Sequence, residues 1–311
     1  MIRRLWPLLL LPLLALVPAA CTVSSSADAA MDDQQYLRDV EQWRMQRMAR
    51  LRAADGWLSY IGSGQLKPGS YSVGSAAGNT LLLPAGPASL GVLQLDKDGQ
   101  AHIDAPAGTG ATLNGQPLRQ AALQIGVNGI QGASRIQLGT SEFYLVRMGN
   151  VVGWRYRDAG SARRRDFRSI EHFKVDRRWQ LQARWEPFAQ PRHTVLLTSI
   201  GTPLPAQLPG EVVFEVDGQQ FRLQPVLDAE AAPSRRLFFL FSDRTSGRET
   251  YGGARYMYAA EAKDGKVMLD FNRAENPPCA LTPHVVCPIA PAINRLELAV
   301  TAGEKFQYLP Q

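Results

Sequence analysis

Apolar residues recur at spacings of three and four between Gln34 and Ala54, and this spacing predicts an amphipathic helix over 34–54. Asp32 or Asp33 is expected to cap the start of this helix. The stripe on one side of the helix consists of Leu37, Val40, Trp43, Arg44, Arg47, Met48 and Leu51. Asp55 and Gly56 should end the helix, and the chain should continue as extended structure.

Short apolar runs separated by turn formers follow the helix, so the fold class is mainly β with two β-rich parts at 55–150 and 151–311. Turn-forming pairs such as Asn114-Gly115 favour a β-sandwich for the first part. In the second part, the run LFFLF at 237–241 is apolar on both faces and predicts a central strand. Asp217-Gly218 and Asp264-Gly265 predict hairpins there.

The first 20 residues have the order of an export signal: Arg3 and Arg4, an apolar run over 5–17, then small residues. The apolar run is too short to cross a bilayer as a helix. The mature chain, including a linker at 21–33, is therefore expected outside the cytoplasm.

Cys21 follows two alanines and resembles the lipid-carrying cysteine of bacterial lipoproteins, although Pro18 stands where that motif usually has leucine. Cleavage near Ala30 is the alternative. We expect an outer-membrane lipoprotein facing the periplasm, held to the membrane through Cys21, and otherwise a soluble periplasmic or secreted protein.

The formal net charge is +6. In the cell envelope, the counter-charges for such a protein are phosphates, lipid headgroups and acidic polymers, so nucleic acid is not an expected partner. Arginines are concentrated between Arg155 and Arg192, but acidic residues alternate with them. This alternation favours solvated strand faces over an anion-binding patch.

Cys279 and Cys287 lie eight positions apart, and in an oxidising compartment this pair predicts a disulfide. A zinc site formed by both thiols and His284 is the alternative, but no fourth ligand is evident. We therefore expect no metal and no cofactor.

Familiar catalytic motifs, such as a nucleophile elbow or a zinc-binding helix, are missing from the sequence. The candidate catalytic residues are therefore the carboxylates Asp243, Asp270 and Glu304, which lie at strand ends or in loops. A raised pKa on one of them would supply a general acid. The favoured alternative is that these carboxylates pair with arginines or cap turns.

Polar and aromatic residues of the same region suggest a binding site for a sugar, because aromatic rings stack on saccharides. The candidate ligand-binding residues are Thr245, Glu249, Tyr251, Arg255, Asn272 and Asn276. Gly252-Gly253 permits backbone conformations that are closed to other residues. Together with Asn276-Pro277-Pro278, it predicts a rigid loop.

Two resemblances add to these expectations. VGSAAGNTLLLP, GATLNGQPL and IQLGTSEFYLV weakly resemble the layout of forkhead-associated sandwiches. Ser75 stands where those domains carry an arginine, so their phosphothreonine site is expected to be lost.

GWLSYIG, WRYRD, SDRTSGRETYGGARY, LDFNRAENPPCALTPHVVCPIAPAINRL and AGEK closely resemble the domain of unknown function 1684 family, over residues 36–308. That resemblance implies location and architecture but no activity. We expect non-catalytic binding or a structural role towards a polar ligand such as an envelope glycan. A metal-independent, glycosidase-like hydrolase is the alternative.

Overall fold

The computed structural model describes residues 26–127, 129–227 and 236–306. The chain is mainly β, with one long N-terminal helix followed by several β-sheets, as the sequence predicts. The predicted export signal and Cys21 lie outside the described residues. Within the described ranges, no helix combines the length and the hydropathy of a membrane span.

Helix α1 (Ser26–Arg52) begins earlier than predicted. Asp32 and Asp33 lie inside it and form ion pairs with Arg177 at 2.7 and 3.4 Å, instead of capping its start. Leu37 is 48% exposed, because Tyr36, and not Leu37, lies on the buried side of the helix. The other buried positions of that side are Val40, Arg47 and Leu51.

The first β-rich part is a sandwich of two sheets. Its strands are β1 (Tyr60–Leu66), β2 (Gly69–Gly74), β3 (Leu81–Leu82), β4 (Gly91–Leu95), β5 (Ala101–Asp104), β6 (Thr112–Leu113), β7 (Gln116–Pro117), β8 (Gln120–Leu123), β9 (Gly126–Val127), β10 (Ile136–Leu138), β11 (Ser141–Met148) and β12 (Val151–Asp158). One sheet has the order β1-β12-β11-β10-β6-β7 with β9 beside β11, and the other has the order β3-β2-β4-β5-β8.

Residues from both sheets, such as Leu93 and Phe143, form one core, as expected for sheets packed face to face. Strand β12 pairs with β1 and β11, so the sandwich extends beyond the predicted boundary at 150. The resemblance to forkhead-associated domains stays a prediction.

Three of the predicted hairpin turns have the backbone that an Asx-Gly pair favours. Asn114, Asp217 and Asp264 have φ angles of 53°, 50° and 51°, and the glycine after each is also left-handed. Positive φ at both central residues matches the twist of the flanking strands. These local sequence predictions are confirmed.

The second β-rich part follows the short helix α2 (Ala162–Asp166). Its strands are β13 (Gln180–Leu197), β14 (Pro203–Val216), β15 (Gln219–Leu223), β16 (Val226–Leu227), β17 (Arg236–Phe241), β18 (Arg255–Ala260) and β19 (Lys266–Asp270). They form two sheets with the orders β15-β14-β13-β19 and β16-β17-β18. The LFFLF run is the central strand β17, and Phe239 and Phe241 are fully buried, which confirms the prediction for this run.

Helix α1 and the two β-rich parts meet around the outer face of the first sheet. Tyr144 and Val146 on β11 pack there with Val285 from the C-terminal segment. Leu51 at the end of α1 packs with Leu281 of the same segment. The C-terminal segment therefore lies between the helix and the sandwich.

Candidate functional site

Asp243 is buried in an ion pair with Arg255. Oδ2 of Asp243 lies 2.7 Å from Arg255 Nη1, and the two side chains are 0% and 1% exposed. Oδ1 accepts hydrogen bonds from the amide and the hydroxyl of Thr245, at 2.6 and 2.5 Å. Arg255 also donates to the carbonyl oxygens of Val300 and Ala302. The predicted site residues Asp243, Thr245 and Arg255 are thus brought together, with their polar atoms bonded to one another.

Glu304 belongs to a second buried network. Its Oε1 accepts from Arg47 Nε at 3.0 Å, and its Oε2 accepts from the Asn276 amide at 2.6 Å. Burial acts to lower the pKa of Arg47, but Glu304 and Glu275 outweigh it and raise that pKa. Burial raises the pKa of Glu275. The Nδ2 of Asn276 donates to the carbonyl of Lys305 at 2.8 Å.

Asp270 forms a third network, beneath helix α1. It accepts from the Tyr36 hydroxyl at 2.7 Å and caps the 3-10 turn that starts at Phe271. Nε of Arg273 is 3.1 Å from Asp270 Oδ2, close enough for an ion pair but not aligned for a hydrogen bond. Burial raises the pKa of Asp270, while the Tyr36 hydroxyl and Arg273 oppose that rise. Asn272 Nδ2 donates to the same Tyr36 hydroxyl at 2.9 Å.

The remaining predicted ligand-binding residues lie in the packed loop after β17. The Phe306 amide donates to the Glu249 carbonyl at 2.9 Å, and the Tyr251 ring lies 5.3 Å from the Phe306 ring. Beside this loop is a depression of about 500 Å³ that is lined by Asp243 and by Arg244, Arg248 and Arg295. Because both oxygens of Asp243 are already bonded, this carboxylate is not free to act in that depression.

Neither Gly252 nor Gly253 uses the left-handed backbone that glycine permits. Gly253 is needed for space instead, since a Cβ there would lie 2.8 Å from the Tyr251 ring. Gly247 and Gly303, by contrast, are left-handed, with φ of 78° and 77°.

Cys279 and Cys287 are adjacent, but the predicted disulfide is not formed in the structure. The Cys279 amide instead donates to Sγ of Cys287 at 3.1 Å. A hydrogen bond from Cys287 lowers the pKa of Cys279, and burial raises the pKa of Cys287. Among the described residues, no group of three or more histidines, cysteines and carboxylates is arranged to hold a metal ion.

A cleft of about 940 Å³ lies where α1, the outer face of the first sheet and the second β-rich part meet. Six arginines line it: Arg47, Arg50, Arg155, Arg157, Arg236 and Arg273. Asp55 and Glu275 are the acidic residues in its lining. The candidate carboxylates Asp243, Asp270 and Glu304 do not line it. We call this cavity the arginine cleft.

Arg155 lines the cleft without a carboxylate partner among the described residues. Its Nη1 donates to the Trp154 carbonyl at 3.0 Å, and none of the described carboxylates lies within ion-pair distance of it. Burial lowers the pKa of Arg155. Arg157, by contrast, pairs with Glu142 at 2.6 Å. An incompletely paired cation therefore borders the cleft.

A smaller cavity of about 170 Å³ adjoins the arginine cleft and shares Arg155 with it. Ser63 on β1 is directly opposite Arg155 on β12, so both side chains point to the same face of the sheet. Ser63 Oγ is 3.2 Å from His284 Nδ1. Burial lowers the pKa of His284, and the positive charges of Arg163 and Arg155 lower it further.

Sequence reasoning missed this cleft. It interpreted the arginines after Arg155 as solvated, whereas Arg157 is only 9% exposed. The alternation in WRYRD contained a usable indication, because Trp154 and Tyr156 face the core and the two arginines must then face outwards. The pattern does not show that other segments of the chain cover that outer face.

Residues 165–305 match the family model described as "Protein of unknown function (DUF1684)". The sandwich lies before this match. An uncharacterized protein from Haloarcula marismortui, whose structure was determined by NMR in solution, is 34% identical, with a TM-score of 0.39. The alignment covers 46% of this chain and 79% of that protein. No curated protein is significantly similar to the chain. Residues 165–305 of the chain therefore belong to the DUF1684 family.

Proposed function

We propose that this protein is an exported envelope protein that binds a polar ligand in the arginine cleft without converting it chemically. The observation that carries the proposal is the cleft itself, about 940 Å³ in volume and lined by six arginines. A cavity of this size at a junction between structural units is the usual setting for a ligand site.

A glycan is the ligand class that best fits the cleft. Trp57 and Tyr60 line it, and their rings stack on each other with centroids 5.4 Å apart. Trp57 is 39% exposed, so one face of this pair is open to a sugar ring. Charged and aromatic groups then surround the same ligand.

Envelope location completes the proposal. A lipid on Cys21 would hold the protein to the outer membrane, facing the periplasm. In that oxidising compartment the adjacent thiols of Cys279 and Cys287 would lose two protons and two electrons to an envelope oxidant and form a disulfide. The bond would fix the C-terminal segment that contributes Val285 and Val286 to the cleft.

Hydrolysis of the glycan is the second candidate function, and the raised pKa of Asp270 favours it. A glycosidase needs two carboxylates on opposite sides of an open cleft, separated by roughly 5 to 10 Å. Asp243 and Glu304 are instead buried against Arg255 and Arg47, which supports binding over turnover.

Retention of envelope glycans tests the binding proposal. The full chain is incubated in detergent with solubilised envelope polysaccharide, separated by size, and the bound sugar is analysed by mass spectrometry. Ala260 is exposed at the end of β18 and lines the cleft, so Ala260→Trp should obstruct the cleft and reduce retention.

The matched control is Ala122→Trp, which places the same side chain at an exposed alanine of β8, outside the cleft. It should retain glycan as the wild type does. Equal retention by the wild type and Ala260→Trp would refute the site, and shortening of the recovered glycan would establish the hydrolase alternative.

A further inference from the structure

We propose that the ligand of the arginine cleft carries an anionic group, a phosphate or a carboxylate, which docks on Arg155 with support from Arg50. The inference rests on the proposed binding function and specifies its ligand class. An anionic saccharide combines this group with the ring that the Trp57–Tyr60 stack would accept.

The arginines of the cleft differ in whether a carboxylate of the protein pairs with them. Three of the six have such a partner. Arg47 contacts Glu304 and Glu275 at 3.0 and 3.3 Å. Arg157 and Arg273 contact Glu142 and Asp270, at 2.6 and 3.1 Å.

Arg155 and Arg50 have no such partner among the described carboxylates. These two arginines therefore add positive charge to the cleft that no described carboxylate pairs with, and an anionic ligand would balance it.

The tyrosine hydroxyls near Arg155 do not compensate its positive charge. Tyr144 donates its hydroxyl to the Tyr60 hydroxyl at 2.6 Å, and burial raises the pKa of Tyr144. Tyr144 therefore stays uncharged at neutral pH and does not neutralise Arg155. A partly buried cation without a counter-charge is destabilising, and an anion bound beside it would remove that cost.

The form of the guanidinium indicates which anions fit. Its planar fork donates two parallel hydrogen bonds to a carboxylate or a phosphate. Only the Nη1 group is engaged by a described acceptor, the Trp154 carbonyl. The remaining N–H groups are available to a ligand oxygen.

Calorimetric titration of the full chain in detergent tests this inference with four probes: inorganic phosphate, glucose 6-phosphate, glucuronate and glucose. We expect binding of the anionic sugars and at least tenfold weaker binding of glucose. A preference for glucose 6-phosphate and phosphate over glucuronate would assign the anion as phosphate, and the reverse would assign it as carboxylate.

Arg155→Gln should weaken binding of the preferred anionic sugar about tenfold or more, because a charge-assisted hydrogen bond is lost. Arg155→Lys keeps the positive charge but cannot donate two parallel hydrogen bonds, so it should give an intermediate loss of affinity. Arg119→Gln is the matched control, since Arg119 also donates only to the preceding carbonyl, at 3.4 Å, and lies on the sandwich outside the cleft. It should bind as the wild type does.

Arg50→Gln provides a second test that does not perturb a buried position, because Arg50 is exposed on α1. It should weaken anion binding by a smaller factor and reduce the salt dependence of the affinity. Glucose binding equal to that of glucose 6-phosphate, unchanged by Arg155→Gln, would overturn the inference and leave the binding function intact. Absence of binding by every anionic probe would also overturn it, whereas the binding function is decided separately by glycan retention.

Discussion

Nε of Arg47 donates to Oε1 of Glu304 at 3.0 Å, joining two residues that are 257 positions apart. Arg47 lies on helix α1, and Glu304 lies in the C-terminal AGEK sequence. Both side chains are nearly inaccessible to water. The pair therefore ties the first element of the fold to its last described segment, and it forms beside the arginine cleft, which Arg47 lines.

Removing one partner of this buried pair should be costly. Glu304→Ala leaves Arg47 buried with only Glu275 as a counter-charge, and we expect a loss of about 3–5 kcal/mol in the free energy of unfolding. The measurement is chemical denaturation followed by circular dichroism. Arg244→Ala is the control, because Arg244 and Glu297 are 64% and 72% exposed, and its loss should stay below about 1 kcal/mol. Similar losses in both variants would contradict the account.

Gly303 precedes Glu304 and is predicted to tolerate no side chain. Its φ is 77°, and a Cβ would lie 2.4 Å from the Ala274 carbonyl oxygen. Gly265 has a φ of 69° but open space around it, so Gly265→Ala isolates the conformational cost, about 1–2 kcal/mol. Gly303→Ala should lower the thermal midpoint distinctly more than Gly265→Ala. Equal shifts would show that the left-handed backbone alone, and not the lack of space for a Cβ, requires glycine at position 303.

Acid should destabilise the protein partly through two histidines. Burial lowers the pKa of His172 and of His284 below the usual value of 6.5. Just below pH 6.5 the unfolded chain therefore binds more protons than the folded one, so stability falls as the pH falls through that range. The double variant His172→Gln, His284→Gln should show a shallower fall in melting temperature between pH 7 and pH 5 than the wild type. An unchanged slope would refute this assignment.

Intact mass of the protein purified from its native envelope tests the proposed location. We expect a chain that begins at Cys21 and carries a lipid-sized addition. Cys279 and Cys287 should react with an alkylating reagent only after reduction. An unlipidated chain that begins near Ala30, with both thiols reactive without reductant, would contradict the lipid anchor and the disulfide.

The sequence predicted those parts of the fold that depend on neighbouring residues. The left-handed turn at Asn114-Gly115 and the central strand at 237–241 follow from local chemistry and from continuous apolarity. The predicted stripe of α1 is buried at Val40, Arg47 and Leu51, but Leu37 is exposed. The stripe does not show that Arg47 pairs with a carboxylate that is remote in sequence.

The candidate site was harder to predict for the same reason. Asp243, Asp270 and Glu304 are close in sequence but lie in separate networks, each with its own arginine. The arginine cleft draws its lining from α1, from β12 and from β18. Residue types report which side chains are charged, but only the packed fold shows which charges remain without a partner.

Crystal structures of the full chain, one grown with glucose 6-phosphate and one with glucuronate, would test the central claim most directly. We predict ligand density in the arginine cleft for at least one of these sugars, with the phosphate or carboxylate oxygens in hydrogen-bond contact with the Arg155 guanidinium and the sugar ring against Trp57. A cleft without ligand density for either sugar at a saturating concentration, or ligand density only in the depression beside Asp243, would contradict the claim.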